Sequence, residues 1–419
     1  MPQYITIKNF GPITSIEKME VKDFMLFIGE RATGKSTIAK SIYFFESLRD
    51  DLIDYYIERF RKEAFDERIN EFSRVVKDKF VKYFGLSYFM PSNLELKFQY
   101  TSDIENYILI SLNSEKQIAI SYGKKIVSEH NSVLNKWRNY IDKYGNGDSN
   151  RLKDIILRDL QKTIVEDIQN LFDYAGYFMF IPAQRSLLTT LSGQFSSFDK
   201  MQDLDYLTKA FRYEIDRIKQ WSVTKKHYSH LSKSKAENIL GGTYLLKGDI
   251  EFINIGRGKE VKLNFASSGQ QESLWILNAL NFLMIEYKEN LVVVEEPESH
   301  LDPKTQIAIV DLLVYFAVSM KNKLFITTHS PYILATVNNL MYAYQVARSY
   351  PDEVKKIVPE SLWLDPSRVG AYECKNGGIV DLIAPDGLIM NEELDRASID
   401  INGVNNELFA IKNEATHEL

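Results

Sequence analysis

The stretch that most constrains this chain is Gly29-Glu30-Arg31-Ala32-Thr33-Gly34-Lys35-Ser36-Thr37, which reads G-x-x-x-x-G-K-S. That spacing is a phosphate-binding P-loop where a strand precedes it and a helix follows. Phe24-Met25-Leu26-Phe27-Ile28 is an apolar run of buried-strand length, and Ile38-Ala39-Lys40-Ser41-Ile42-Tyr43 continues as a helix. The glycines let successive backbone N–H groups curl around an oxyanion. The helix N-terminus adds a partial positive charge. A plain glycine-bearing turn before a helix would not carry this whole context. Lys35 is placed to reach the β- and γ-phosphates of a nucleotide, and Ser36 to ligate Mg²⁺. The candidate nucleotide contacts are Gly29, Arg31, Ala32, Thr33, Gly34, Lys35, Ser36 and Thr37.

A length of 419 residues allows one large domain or two. The net charge of −6 argues against a generally basic nucleic-acid coat and leaves a local basic patch open. Cys374 is the only cysteine, which excludes an intramolecular disulfide framework and a cysteine-based zinc site. A reducing compartment follows as the simplest expectation. With no signal-peptide pattern and no run of membrane-spanning length, a cytoplasmic protein is expected.

Along the chain, Tyr4 to Phe10 alternates apolar and polar, the period of a half-buried strand, and Gly11-Pro12 turns it. Ile16 to Phe27 reads as a return strand running into the P-loop. Thr37 to about Phe84 has helical spacing, as in Ile53, Tyr56, Ile57 and Phe60. Leu94 to about Ser128 alternates again and reads as an antiparallel meander. Helical patterns return from about Ser132 to Leu171, broken by Gly145-Asn146-Gly147-Asp148-Ser149. They read as a hairpin projecting from the core, with room for only a few helical turns. Tyr177 to Ile181 is a buried-strand candidate ending in Pro182-Ala183-Gln184-Arg185-Ser186. Lys219 to Lys235 interleaves lysines with Trp221 and Tyr228 and contains no acid. That composition suits nucleic acid, and equally a solvated segment.

Leu291-Val292-Val293-Val294-Glu295-Glu296 is four apolar residues followed by two carboxylates, the Walker B pattern. A strand of this kind delivers its acids at its carboxyl end, where open α/β sheets bind ligands. Glu295 takes the position that orients Mg²⁺, and Glu296 is the candidate general base that polarises the attacking water.

Six strings in order resemble ABC-type ATPases of the SMC, Rad50, RecF and OLD branch: the opening I-x-I-x-N-F-G-P-I, the P-loop, the Gln184 loop, Ala266-Ser267-Ser268-Gly269-Gln270-Gln271, the Walker B run into Pro297-Glu298-Ser299-His300-Leu301-Asp302-Pro303, and Thr327-Thr328-His329-Ser330-Pro331. The resemblance implies an α/β fold, an ABC-type P-loop ATPase head with a mixed sheet, an antiparallel β lobe and a short helical insertion. It divides the chain into a first ATPase lobe over 1–130, a helical hairpin over 131–172, the rest of the head over 173–347 and a C-terminal extension over 348–419. It makes Gln184 the Q-loop residue that touches Mg²⁺ and the water, with Arg185 as a competing choice because relatives carry an I-P-A-x-R-S-like run. It makes Ser267, Gly269 and Gln270 the signature that caps the γ-phosphate of the opposite protomer, Asp302 the acid of the D-loop, and His329 the H-loop residue that contacts the γ-phosphate. ATP and Mg²⁺ are the implied ligands, and a head-to-tail dimer the implied assembly.

Within that branch, the insertion is far too short for a Rad50 or SMC arm. Residues 330–419 contain no D-x-D pair of the kind a nuclease domain would supply. The chain most resembles the compact AAA_15- and AAA_21-type ATPase subunits of phage-defence systems such as PARIS, with Septu and Gabija ATPases as relatives. That resemblance implies a separate effector, often a nuclease, held by the ATPase and released when a phage protein is sensed. The acid-rich tail from Asn391 to Leu419 fits a docking element or a solvated helix. Two other readings stand beside it. A RecF-like repair ATPase would bind DNA, with Lys225 and Lys226 contributing a salt-sensitive affinity. A monomeric P-loop kinase or switch would give Ser267 no role.

Overall fold

The computed structural model describes residues 1–62, 69–85, 91, 93–144, 150–190, 204–224, 233–248, 250–320 and 322–390. The Gly145–Ser149 break, Lys225 and Lys226 of the basic stretch, and the acidic tail lie outside the described residues.

The chain opens with β1 (Gln3–Phe10) and β2 (Ile13–Val21), an antiparallel pair joined at Gly11-Pro12. They belong to a five-stranded antiparallel sheet of order β2-β1-β4-β5-β6, completed by β4 (Glu95–Gln99), β5 (Tyr107–Leu112) and β6 (Ile118–Tyr122). The return strand expected over Ile16 to Phe27 is divided between two sheets. β2 ends at Val21, and β3 (Phe24–Ile28) enters the other sheet. β3 is apolar throughout, so it suits a parallel sheet covered on both faces better than a half-solvated hairpin.

That second sheet has six strands in the order β14-β13-β3-β12-β11-β7. Its parallel core is β13 (Val369–Lys375), β3, β12 (Lys323–Thr328), β11 (Asn290–Glu295) and β7 (Tyr177–Ile181). β14 (Gly378–Asp381) pairs antiparallel at the edge. The segment expected as an extension after 347 therefore contributes β13 to the main sheet, directly against the P-loop strand.

Side chains alternate across the pleat, so each strand feeds two cores. Met25, Phe27, Leu291 and Val293 face the core under α1 (Lys35–Lys62) and the antiparallel sheet. Leu26, Val292, Val294 and Ile326 face a second core on the opposite side. α8 (Ser268–Glu286), α9 (Pro303–Ser319) and α10 (Pro331–Ala347) cover that second face. α8 is buried from Gln271 to Met284, as befits a helix that is apolar on nearly every side.

α2 (Asn70–Phe84), α3 (Lys124–Tyr144) and α4 (Asn150–Phe172) pack into the first core, α5 (Arg185–Thr190) and α7 (Lys233–Leu240) into the second, and α6 (Tyr206–Thr224) contributes to both. A three-stranded sheet of β8 (Thr243–Lys247), β9 (Ile250–Asn254) and β10 (Glu260–Lys262) precedes α8. The expected projecting hairpin begins earlier, at Lys124, and lies on the core. Val133, Trp137, Ile164, Ile168 and Phe172 are buried in the cluster that contains Phe60 of α1, and Trp137 meets Phe60 at 4.6 Å between ring centroids. Helix-spaced apolar residues need a partner surface, and α1 supplies it. Among the described residues no helix is long and apolar enough to cross a membrane.

Candidate functional site

Strand register assembles the site. Ile28, the last residue of β3, pairs with Thr328, the last of β12. Thr327 pairs with Glu295 at the end of β11, and Val294 pairs with Ile181 at the end of β7. Four strands distant in sequence thus deliver the P-loop, His329, the two glutamates and the Gln184 loop to one edge of the sheet. This is the carboxyl edge, where parallel sheets bind ligands.

The P-loop backbone turns through the left-handed region at Ala32 (φ +61°) and Gly34 (φ +106°). Gly29 is held to glycine by a close approach, since a Cβ there would lie 2.5 Å from the carbonyl oxygen of Cys374. The loop opens into α1, whose first turn carries no acid. An acid-free helix start leaves its N–H groups to an anion. Lys35 folds back so that its Nζ donates to the carbonyl oxygens of Gly29 at 2.8 Å and Glu30 at 2.6 Å. Burial lowers its pKa, and the charges of Glu296 and Glu298 oppose that shift. The ammonium is therefore aimed at the loop with few competing waters.

Residues Arg31 to Thr37, with Pro12, Glu296 and His329, line one pocket of about 420 Å³. Pro12 comes from the turn between β1 and β2, so the antiparallel lobe forms one wall. Glu295 is buried, and the Ser36 hydroxyl and the Ala183 N–H face its carboxylate. Burial raises its pKa, opposed by Lys40 and by those two donors. Its Oε1 is buried without a hydrogen-bond partner. A buried orphan oxygen costs stability unless a ligand supplies what is missing. Beside a serine hydroxyl, it forms an oxygen donor set suited to a small hard divalent cation.

Glu296 adopts φ +43°, a conformation that glutamate rarely takes. Its backbone N–H donates to the carbonyl oxygen of Thr327 at 2.8 Å, which keeps it on the strand ladder. Its half-exposed carboxylate lies 3.4 Å from His329 Nε2 and 3.4 Å from the Ser299 hydroxyl. A water reached by this carboxylate and the imidazole could lose its proton here.

Gln184 is exposed and does not line the pocket. Ser267, Gly269, Gln270 and Asp302 do not line it either. Ser267 is the N-cap of α8 in a capping box: its hydroxyl accepts from Gln270 N at 3.3 Å, and the Gln270 side chain accepts from Ser267 N at 3.1 Å. Gly269 packs against the D-loop so closely that a Cβ would sit 2.7 Å from the carbonyl oxygen of His300. Asp302 caps α9 and accepts from Lys304 N, Thr305 N and the Thr305 hydroxyl; these bonds to Thr305 lower its pKa.

Two residues take roles that the motifs did not give them: Glu298, and Arg185, which was the competing choice for the Q-loop residue and does not line the pocket. Glu298 accepts hydrogen bonds from the Thr328 hydroxyl and from His329 N, each at 2.7 Å. Arg185 is fully buried between the ends of β7 and β11. Glu298 stood in the acid-rich run and Arg185 beside Gln184, but no spacing rule marks a carboxylate or guanidinium that serves the backbone.

A triphosphate cradle beside paired carboxylates serves nucleotide hydrolysis. With an antiparallel lobe folded over the P-loop helix, the architecture is that of an ABC-type ATPase head. The profile of the AAA ATPase domain family AAA_15 matches residues 1–334, and the chain belongs to that family. It is an enzyme that hydrolyses ATP. No curated protein matches the chain. Among solved structures it is similar to the SMC head domain from Thermotoga maritima, at 12% identity over 92% of this chain and 100% of that one, with a TM-score of 0.39. It is similar to the Smc head domain with an extended coiled coil bound to the C-terminal domain of ScpA, derived from Pyrococcus furiosus, at 10% identity over 96% and 99% of the chains, with a TM-score of 0.38. A third is the ATP-binding cassette of an ABC transporter in its ADP conformation, at 14% identity over 90% and 88% of the chains, with a TM-score of 0.30.

Proposed function

We propose that this ATPase works as a head-to-tail dimer, alone or within a higher assembly, that binds two ATP between its subunits and gates a separately encoded effector. The observation that carries the dimer is the position of Ser267 and Gly269. They sit at the start of α8, with Ser267 exposed and Gly269 half-buried, and neither lines the chain's own phosphate pocket. A helix N-terminus of this kind becomes part of an ATP site when a second copy presents it.

In this reading the P-loop N–H groups and Lys35 bind the β- and γ-phosphates. Ser36 and Glu295, with Gln184, would hold Mg²⁺, which would neutralise phosphate charge when bound. Glu296 takes the proton of the attacking water as its oxygen bonds to the γ-phosphorus and the bond to the β-phosphate oxygen breaks. His329 orients the γ-phosphate and the water, and Asp302 keeps the D-loop in register at the subunit boundary.

The role we infer is anti-phage defence, with a nuclease-class effector released or activated when a phage protein is sensed. Its support is the AAA_15 membership together with the short α3–α4 pair, which packs on α1 and offers no long arm. The test is to purify a tagged Glu296→Gln protein from its native host in ATP and Mg²⁺ and to weigh and identify the complex by mass spectrometry. A stoichiometric nuclease- or toxin-like partner on a dimer or larger assembly is the expected result. Dimers that carry only DNA or recombination proteins would overturn it in favour of a RecF-like repair ATPase.

A further inference from the structure

Arg185 is the most heavily engaged buried charge near the site, and the hydrolysis chemistry above makes no use of it. Its side chain is 0% exposed. NH1 donates to the carbonyl oxygens of Pro182 at 2.7 Å and Glu295 at 2.6 Å. NH2 donates to the carbonyl oxygen of Glu296 at 2.9 Å. Nε donates to the carbonyl oxygen of Glu272 at 3.1 Å and pairs with the Glu272 carboxylate at 3.1 Å. One rigid fork thus ties the end of the Walker B strand, the loop after β7 and the first turns of α8.

Two further bonds fix α5 on α8. Ser186 N donates to Glu272 Oε1 at 3.2 Å, and Trp275 Nε1 donates to the Thr189 hydroxyl at 3.0 Å. Burial lowers the pKa of the guanidinium and the Glu272 carboxylate opposes this, but arginine keeps its charge in proteins. At one end of the linkage stand Ser267 and Gly269. At the other stands Glu296, whose uncommon φ of +43° needs surroundings that hold it. Lysine could not make this linkage, because a single ammonium cannot satisfy convergent carbonyls in the fixed geometry of a guanidinium.

We propose that Arg185 is a positioning residue that couples the signature end of α8 to the base Glu296 of the same chain. The cross-subunit part rests on the sandwich-dimer reading. Where the signature of one chain sits on its partner's nucleotide, the guanidinium conveys that seating to the base at the chain's own nucleotide.

The experiment compares the full chain with Arg185→Lys, Glu272→Gln and the double variant. It reads steady-state turnover at saturating ATP, equilibrium ATP binding and thermal melting. The expected result for Arg185→Lys is a kcat lower by about tenfold or more, with ATP affinity within about twofold. Glu272→Gln leaves the guanidinium in place and should lower kcat by about threefold with unchanged binding. The double variant should be no slower than Arg185→Lys, because both remove one linkage. Turnover of Arg185→Lys within about twofold of wild type, equal loss of binding and turnover, or losses that multiply in the double variant would each overturn the proposal. Should Arg185→Lys not fold, wild-type turnover in Glu272→Gln overturns it alone. Failure of the dimer reading shows separately, as a wild-type specific activity that does not rise with protein concentration. That outcome overturns the cross-subunit part, and the positioning of Glu296 still stands or falls on the kcat of the variants.

Discussion

Glu298 holds His329 by its backbone. One carboxylate oxygen accepts from His329 N and from the Thr328 hydroxyl, both at 2.7 Å, so an acid from the turn after β11 fixes the end of β12. The imidazole so placed puts Nε2 3.4 Å from Glu296.

Removing that acceptor should loosen the histidine and leave the phosphate cradle intact. Glu298→Ala is expected to lower kcat by roughly 10- to 100-fold, with ATP affinity within a few-fold. Glu298→Gln keeps an acceptor for His329 N and should lose less. Steady-state kinetics beside equilibrium binding decides it, and an unchanged kcat in the alanine variant would separate Glu298 from His329.

Lys35 is the buried cation of the P-loop, held on the carbonyls of Gly29 and Glu30. Lys35→Ala should weaken ATP binding by about 100-fold or more, near 2.7 kcal/mol. Calorimetric titration gives the affinity directly. A near-normal value would remove the phosphate role from this loop.

Glu296→Gln keeps the shape of the side chain and cannot take a proton. Turnover should fall by about 100-fold or more while ATP still binds. Light scattering after chromatography in ATP and Mg²⁺ should show dimer accumulating. Normal turnover would move the base to another residue.

Glu295 gives a pH signature. Burial raises its pKa above the ordinary carboxylate value. The native carboxyl therefore holds a proton over a window where the unfolded one has lost it. Its contribution to stability is fully present below the unfolded pKa and is lost as pH rises through the raised native pKa. Glu295→Gln should remove that dependence, raise the melting temperature of nucleotide-free protein at neutral pH and cut turnover by about 100-fold. Melting curves for both proteins from about pH 4 to pH 7 test the sign. A wild-type curve parallel to that of the variant would refute it.

Ser267 is exposed at the start of α8. Ser267→Arg should leave ATP binding intact, cost about 1 kcal/mol through the lost cap and abolish both dimer closure and turnover. Retained turnover would place hydrolysis within a single chain.

Much of the site was legible because its parts are local strings. Gly29 to Thr37 needs only one loop and the helix it opens. The 291–296 run needs only a strand with acids at its end. The division between β2 and β3 was not legible, because Lys22-Asp23 interrupts the alternation too briefly to reveal a change of sheet. Nor was the placement of β13: a short apolar run pairs with whichever strand the rest of the fold offers.

Composition and spacing by themselves determined the nucleotide chemistry, since a P-loop and a carboxylate pair act through their own backbone and side chains. Only the tertiary structure decided which groups serve those parts from a distance. Glu298 reaches the H-loop because β11 and β12 are neighbours in one register. Arg185 reaches Glu296 and Glu272 because β7 lies beside β11, and α8 packs onto α5. Such bonds depend on through-space convergence at one sheet edge. No local periodicity encodes it, because the strands that meet there are separated by as many as three hundred residues of chain, from β3 (Phe24–Ile28) to β12 (Lys323–Thr328).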